Sequence, residues 1–177
     1  MKTLKKFLIL FLSLLAISSC GASYQASRAE RKAEKEAERL AMVQALENAD
    51  FILEITRIIP RGFPSKVSTG EYKLRLQGDV VTTRLPFIGV SHEATYGGVD
   101  EISIVFDKEK VVLVTDFTDR AKGEYRYRFT GGNGKDKWTL TLQVYDNGTA
   151  SISGVTSGGR YMSYFANLVL PKPNEEK

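Results

Sequence analysis

Two groups of carboxylates in the chain have a spacing that admits acid–base or metal chemistry. The first group is Asp116, Asp119 and Glu124, near one predicted hairpin end, and the second is Glu93, Asp100 and Glu101, around the longest predicted loop. Paired carboxylates transfer protons where their surroundings separate their pKa values, and Ca²⁺ takes several oxygen ligands from one regularly spaced loop. The sequence has no such calcium-loop pattern. We therefore interpret both groups as turn and surface residues, and predict no catalytic residue and no metal ion.

A single histidine and a glycine-rich segment are further candidates for catalysis, metal binding or phosphate binding. His92 has no second histidine and no cysteine nucleophile to work with, so neither a catalytic triad nor a histidine zinc site is expected. The segment 131–135 is glycine-rich, but a phosphate loop needs Gly-Lys-Ser/Thr followed by a helix. Here Asp136 and a predicted strand follow. We predict a hairpin loop, no cofactor and no enzymatic activity, with a hydrolase as the least favoured function.

The N-terminal residues carry signals for export and lipid attachment. Three lysines precede the apolar run Phe7–Ile17, which is too short to span a membrane and is typical of a signal peptide. The one cysteine of the chain, Cys20, follows Ile17-Ser18-Ser19, and this segment resembles the lipobox of bacterial lipoproteins. The resemblance implies cleavage before Cys20, a diacylglycerol thioether on its sulfur and acylation of its amino group. We therefore predict a lipoprotein signal peptide at 1–19 and membrane attachment, palmitate included, through Cys20.

The residue after Cys20 and the charge balance indicate the compartment and the kind of partner. Gly21 stands where an aspartate would retain a lipoprotein in the inner membrane, so we expect an outer-membrane lipoprotein that faces the periplasm, with the surface leaflet left open. The formal charge of +4 falls to +1 without Lys2, Lys5 and Lys6. The rest of the chain has no concentrated basic face, so we predict no nucleic-acid partner. A single cysteine also excludes a disulfide within the chain.

A helix is predicted between Cys20 and the domain that follows. Residues 23–48 are rich in Ala, Glu, Lys and Arg and contain no Gly or Pro. We expect a solvated helical stalk within 20–48, whose last part docks on the domain through Leu40, Val43 and Leu46. A partner-binding coiled coil is the alternative, although alanine is a poor knob and the heptads are few.

From residue 49 onward the apolar pattern has a period of two, which indicates strands with one buried face. In the first strand, this pattern assigns Ile55 and Ile59 to the core face and Thr56 and Ile58 to the other face. We expect about nine strands, at 51–59, 66–77, 79–85, 101–107, 110–118, 122–130, 136–146, 149–156 and 160–169. Turn signals separate them, at 107–110 and at Asn147-Gly148 among others. The fold class predicted is all-β with an N-terminal helix, one small antiparallel β-barrel over 49–171, with a two-sheet β-sandwich as the alternative, and a disordered tail at 172–177.

Several segments of the chain resemble one known family. They are Leu85-Pro86-Phe87-Ile88-Gly89, Tyr96-Gly97-Gly98, Trp138-Thr139-Leu140-Thr141-Leu142, Asn147-Gly148-Thr149-Ala150 and Arg160-Tyr161-Met162-Ser163-Tyr164. Together, over roughly 40–170, they are similar to the family filed as domain of unknown function 4251, found in lipid-anchored proteins of Gram-negative gut bacteria. The chain departs from the family pattern at Phe87-Ile88 and over 92–95. The resemblance implies a lipocalin-like barrel and no activity.

The aromatic residues and the longest loop provide the candidate binding residues. A barrel of about eight strands is either filled or holds one small apolar ligand, and Tyr125, Tyr127 and Trp138 face the predicted interior. The loop over 85–100 is a candidate lid or plug, with Leu85, Pro86, Phe87, Tyr96, Gly97 and Gly98 as its candidate residues. Two functions stay open: a non-enzymatic module that binds a small apolar ligand or an envelope protein, and a structural or assembly accessory that docks through its helix and long loop.

Overall fold

The computed structural model describes residues 19–69, 71–88, 103–132 and 137–171, and the side chains of 19–27 and 29 lie outside its description. Helix α1 spans Ser19–Glu47 and a short 3₁₀ helix spans Arg120–Lys122. The strands are β1 (Asp50–Pro60), β2 (Lys66–Val67), β3 (Lys73–Gln77), β4 (Val80–Pro86), β5 (Ser103–Lys110), β6 (Val114–Asp116), β7 (Glu124–Gly131), β8 (Trp138–Tyr145), β9 (Thr149–Thr156) and β10 (Tyr161–Val169). The predicted class, all-β with an N-terminal helix, is confirmed.

The chain divides into two compact units, Met1–Leu40 and Ala41–Lys177. In the first unit, the described side chains from Arg28 to Leu40 are exposed. Arg39 pairs with Glu36 at 2.7 Å, and this hydrogen bond and charge lower the pKa of the Glu36 carboxyl. Across the described part of the chain, no helix has the length together with the apolar character that crossing a bilayer requires. The signal peptide predicted at 1–19 lies outside the described residues, apart from Ser19.

Over its described residues, the second unit is built on one ten-stranded antiparallel sheet rather than two stacked sheets. The strand order is β5-β4-β3-β1-β10-β9-β8-β7-β6, with β2 added beside β1. The sheet curls into a half-barrel, so residues from distant strands meet inside it. For example, the rings of Phe51 on β1 and Tyr127 on β7 lie 5.3 Å apart. Inward and outward residues alternate along β7 and β8, as the period of two predicts.

The predicted turn at Asn147-Gly148 is confirmed. Gly148 has a φ of +85°, which favours glycine, and its amide donates to the Tyr145 carbonyl at 3.0 Å. The Asn147 side-chain oxygen accepts hydrogen bonds from the amide and the hydroxyl of Thr149. The turn therefore fixes the register in which β8 pairs with β9.

A β-bulge in β1 corrects the predicted face of two isoleucines. The pairing of β1 with β10 shifts register between Ile55 and Arg57, so Thr56 is an extra residue in the strand. The shift reverses the alternation beyond it: Ile58 is buried in the core, while Ile59 is half-buried on the outer side. The assignment of Ile59 to the core and Ile58 to the other face is therefore wrong.

The bulge also explains why the strand predicted at 66–77 is two strands. The short strand β2 pairs with β1 at Arg57–Ile58, whereas β3 pairs with it over Asp50–Glu54. Between β2 and β3, two isolated hydrogen bonds connect the chain to β1 at the bulge. The Ser68 amide donates to the Thr56 carbonyl and the Ile55 amide donates to the Tyr72 carbonyl, both at 2.9 Å.

The predicted turn at 107–110 is likewise wrong, because these residues are the end of β5. A second bulge, opposite Val81 and Thr83, accommodates them, and Lys108 there takes a φ of +47°. The chain then crosses at 111–113 from one end of the sheet to the other. The Val111 amide donates to the Asp79 carbonyl at 2.8 Å, and of the strand predicted at 110–118 only Val114–Asp116 forms.

The two ends of the curled sheet meet through side chains at a seam between β5 and β7. Inside, the rings of Phe106 and Phe129 pack edge to face with centroids 5.5 Å apart. At the surface, the Gly132 amide donates to the Glu109 carboxylate at 2.9 Å. Side-chain contacts therefore hold the seam, since the described ladders end at β5 on one side and at β6 on the other.

Candidate functional site

The three aromatic residues predicted to face the interior are all in the core. Tyr125, Tyr127 and Trp138 are buried, and each packs against another ring. The Phe117 ring lies 5.2 Å from that of Tyr125 and 5.6 Å from that of Tyr127, and the Phe87 ring lies 5.4 Å from that of Trp138. These residues therefore pack against other aromatic rings inside the curl of the sheet.

The end of α1 closes one end of the half-barrel. Leu46 is fully buried, and its carbonyl oxygen accepts a hydrogen bond from the hydroxyl of Tyr127. Burial raises the pKa of Tyr127, because the phenolate would lose its hydration. A Cβ built on Gly148 would lie 3.4 Å from the sulfur of Met42, so the helix also packs against the β8–β9 turn.

The predicted docking residues of α1 differ from one another in the structure. Leu46 is buried and Val43 packs against the core, as predicted. Leu40, the last residue of the first unit, is 51% exposed. In the second unit, Met42 also packs against the core.

The first residues of the predicted loop close the opposite end of the half-barrel. Leu85, Pro86 and Phe87 are buried, and Ile88 is half-buried. The hydroxyl of Tyr164 donates to the Pro86 carbonyl at 2.8 Å. Burial alone raises the pKa of Tyr164. The other candidate loop residues, Tyr96, Gly97 and Gly98, lie outside the described residues, as do His92, Glu93, Asp100 and Glu101.

The carboxylates Asp116, Asp119 and Glu124 lie around one arginine, Arg126. Its Nε bonds to the Glu124 carboxylate at 2.5 Å, and its other nitrogens lie 3.9 Å from Asp116 and 3.7 Å from Asp119. Hydrogen bonds from the hydroxyl and amide of Thr118 lower the pKa of Asp116. The cluster is a set of ion pairs around Arg126. Among the described residues, no three acidic, histidine or cysteine side chains are placed to hold a metal ion.

The hydrogen bond and charge of Lys122, 2.8 Å away, lower the pKa of Asp119. The same pair raises the pKa of Lys122, and the Glu124 hydrogen bond raises that of Arg126. These three shifts, and that of Asp116, all favour the charged form of the group. A general acid needs a pKa close to neutral pH, and these shifts move the pKa values away from it.

Several exposed apolar residues have no counterpart among the predicted site residues. They lie on β2, on β10 and in the turn after β1. Phe165 is 49% exposed, Tyr161 40% and Val67 77%, and Phe63 in the turn after β1 is 48% exposed. The alternation of β10, with Met162, Tyr164, Ala166 and Leu168 inside, is the signal that could have placed Tyr161 and Phe165 outside.

Comparison with known proteins agrees with this architecture. A crystal structure of a DUF4251 family protein from Bacteroides eggerthii DSM 20697 is similar to the chain, with 15% identity and a TM-score of 0.52. The similarity covers 76% of this chain and 88% of that one, and at this identity it shows the fold alone. No curated protein matches the chain.

The family assignment comes from the sequence match. The family described as Domain of unknown function (DUF4251) matches residues 31–164, well over half of the 177 residues. The match begins inside α1 and includes the whole sheet up to the middle of β10. The chain therefore belongs to the DUF4251 family of domains of unknown function.

Proposed function

We propose that the protein is a lipid-anchored, non-enzymatic binding module of the outer membrane, which faces the periplasm and binds an envelope partner through the outside of its sheet. We assign binding to the outside of the sheet, and not to its interior, because of how the interior is packed. Tyr125, Tyr127 and Trp138, which could have lined a ligand cavity, are buried against other rings of the same chain.

Both ends of the half-barrel support the same choice. The Tyr127 hydroxyl holds the end of α1 through Leu46, and the Tyr164 hydroxyl holds the start of the loop through Pro86. A small apolar ligand that entered at either end would have to displace a buried hydrogen bond, and an orphaned buried carbonyl is costly. The outer face needs no such rearrangement.

The anchor is proposed from the sequence of the first twenty residues. Cys20 is the single cysteine and follows a short apolar run at the position where lipidation requires it. Two or more acyl chains would hold the protein on a membrane stably, where one chain would give reversible binding. From Cys20 to Leu40, a helix with a rise of about 1.5 Å per residue extends roughly 30 Å.

Fractionation of cells that express the protein and its Cys20→Ala variant tests the proposal. We expect the protein in the membrane fraction after a salt wash and the variant in the soluble fraction, with the same circular dichroism spectrum. A variant that still sediments with membranes would contradict the anchor. Saturable binding of an apolar fluorescent probe to the Cys20→Ala variant, reduced by Phe87→Ala, would contradict the filled interior.

A further inference from the structure

We propose that the outer face of β1, β2 and β10 binds a saccharide chain that carries carboxylates. The face consists of Arg57, Val67, Tyr161 and Phe165, which we call the aromatic platform, and it adjoins the turn that contains Phe63. The proposal rests on the proposed function, because it names the partner of a module that acts through its outer surface.

The bulge in β1 builds the centre of the platform. Because Thr56 is an extra residue, Arg57 lies opposite Phe165 on β10 and opposite Val67 on β2. The Thr56 hydroxyl donates to the Phe165 carbonyl at 3.2 Å, which fixes the bulge against the neighbouring strand. Side chains that face each other across strands have Cβ atoms about 5 Å apart. Arg57 therefore stands between an exposed phenylalanine on one neighbouring strand and an exposed valine on the other.

A hydrogen bond orients the second exposed ring. The Ser163 hydroxyl donates to the Tyr161 hydroxyl at 2.6 Å, so the phenol lies along β10 over Ser163. Phe165 is four residues further along the same face, roughly 13 Å away at the rise of an extended strand. On β9, Ser153 and Ser151 lie opposite Ser163 and Phe165, and the exposed Val155 lies opposite Tyr161. Ser163 and Ser153 therefore separate the positions of the two rings.

This alternation of ring faces and hydroxyl groups matches the chemistry of a saccharide. The C–H face of a pyranose ring carries partial positive charge and stacks on the negative face of an aromatic ring. Serine hydroxyls both donate to and accept from sugar hydroxyls. A protein partner would instead favour one contiguous apolar patch, and a bilayer would favour apolar side chains on a projecting surface. Along β10, by contrast, Ser163 separates the two exposed rings.

The charged residues around the platform indicate that the ligand is negatively charged. Arg57, Arg61 and Lys66 are exposed, and the ion pairs among the described residues include none of them. The nearest acidic residue on β1, Glu54, is paired with Lys73 at 2.9 Å. Arg57 on the platform and Arg61 in the adjoining turn therefore have no acidic partner in the described part of the chain, and they complement a carboxylate-bearing chain.

Affinity electrophoresis of the full mature chain with Cys20→Ala tests the proposal, with alginate as the carboxylated saccharide and dextran as the neutral one. We expect alginate to retard the protein and dextran to leave its mobility unchanged. The double variant Tyr161→Ala/Phe165→Ala should bind alginate roughly tenfold more weakly or worse, and Arg57→Gln about threefold more weakly. The matched control Arg84→Gln removes an exposed arginine from β4, outside the platform, and should bind normally.

Each alternative result overturns the proposal. No retardation by alginate shows that the platform does not bind carboxylated saccharides. Equal weakening by Arg84→Gln and Arg57→Gln shows non-specific attraction of a polyanion. Sedimentation with vesicles of anionic phospholipid, without retardation by alginate, assigns the face to a lipid surface. Thermal melting of every variant verifies folding, and Tyr161→Phe/Phe165→Tyr, which keeps both rings, should restore binding. These results do not depend on the Cys20 fractionation, so the failure of one proposal is distinguishable from that of the other.

Discussion

The hydroxyl of Tyr164 donates a 2.8 Å hydrogen bond to the carbonyl oxygen of Pro86, seventy-eight residues earlier in the chain. Tyr164 is on the last strand, and Pro86 ends β4 at the start of the longest loop. Both residues are buried, so the carbonyl has the tyrosine as its partner in place of water. The bond therefore connects the C-terminal part of the sheet to the residues that close one end of the half-barrel.

Removal of the Tyr164 hydroxyl should destabilise the protein. Tyr164→Phe leaves the Pro86 carbonyl buried without its partner, and we expect a loss of about 1–3 kcal/mol in the free energy of unfolding. Chemical denaturation measures it. Tyr161→Phe is the matched control, since it removes an exposed hydroxyl from the same strand and should change stability by roughly 0.5 kcal/mol or less. Equal effects of the two substitutions would contradict the structural role of the Tyr164 bond.

The buried end of α1 gives the second prediction. Leu46 is fully buried and Leu40 is half exposed on the same helix. Leu46→Ala should therefore lower the free energy of unfolding by about 2–5 kcal/mol, and Leu40→Ala by roughly 0.5 kcal/mol or less. Denaturant unfolding curves of both variants measure the two losses. A large loss from Leu40→Ala would mean that the helix packs on the sheet further toward its N-terminus than the structure shows.

The alternation of the strands could be predicted from the sequence, whereas its interruptions could not. Tyr125, Tyr127 and Phe129 repeat every second residue and are all buried, because β7 runs regularly beside β8. The bulge at Thr56 has no local signal: Ile58 and Ile59 are both apolar, and only the pairing of β1 with β10 decides which of them enters the core. A long-range register is a property of two strands together, so one strand's pattern cannot supply it.

The dependence on strand register also explains why the sequence did not predict the exposed residues of the outer face. Arg57 lies next to Phe165 because of the bulge, and the two residues are more than a hundred positions apart in the chain. By contrast, burial of Leu85, Pro86 and Phe87 was predictable, because a run of apolar residues at the end of a strand is costly to leave in water.

The seam between β5 and β7 gives the third prediction. Gly132 has a φ of +100°, and a Cβ there would lie 3.3 Å from the Val105 carbonyl oxygen. Gly132→Ala should destabilise the protein by about 1 kcal/mol or more, because alanine strains this conformation. Gly158→Ala is the control: its Cβ would approach only the Thr156 hydroxyl, at 3.8 Å, and its φ lies outside the left-handed region. Thermal melting of both variants measures the difference, and equal melting points would contradict a tight seam.

The buried tyrosines predict how stability depends on pH. Burial raises the folded-state pKa of Tyr127 and Tyr164 above the value of about 10 in an unfolded chain. The unfolded state therefore loses these protons first, so their contribution is complete below about pH 10 and decreases as the pH rises above it. Melting temperatures between pH 8 and 12 should fall at the alkaline end. The double variant Tyr127→Phe/Tyr164→Phe should show a smaller fall, and an equal fall would contradict the prediction.

The central claim is that the protein carries its lipid covalently on Cys20 and uses its outer face, with a filled interior. Mass spectrometry of protein extracted from host membranes tests it most directly, when denaturing and native spectra are compared. The account predicts a chain that begins at Cys20 and carries a diacylglycerol and an acyl group in the denaturing spectrum, with no additional bound lipid in the native one. The Cys20→Ala variant should have the bare mass in both spectra. An unmodified Cys20, or an apolar molecule that the variant retains in its native spectrum alone, would contradict the account.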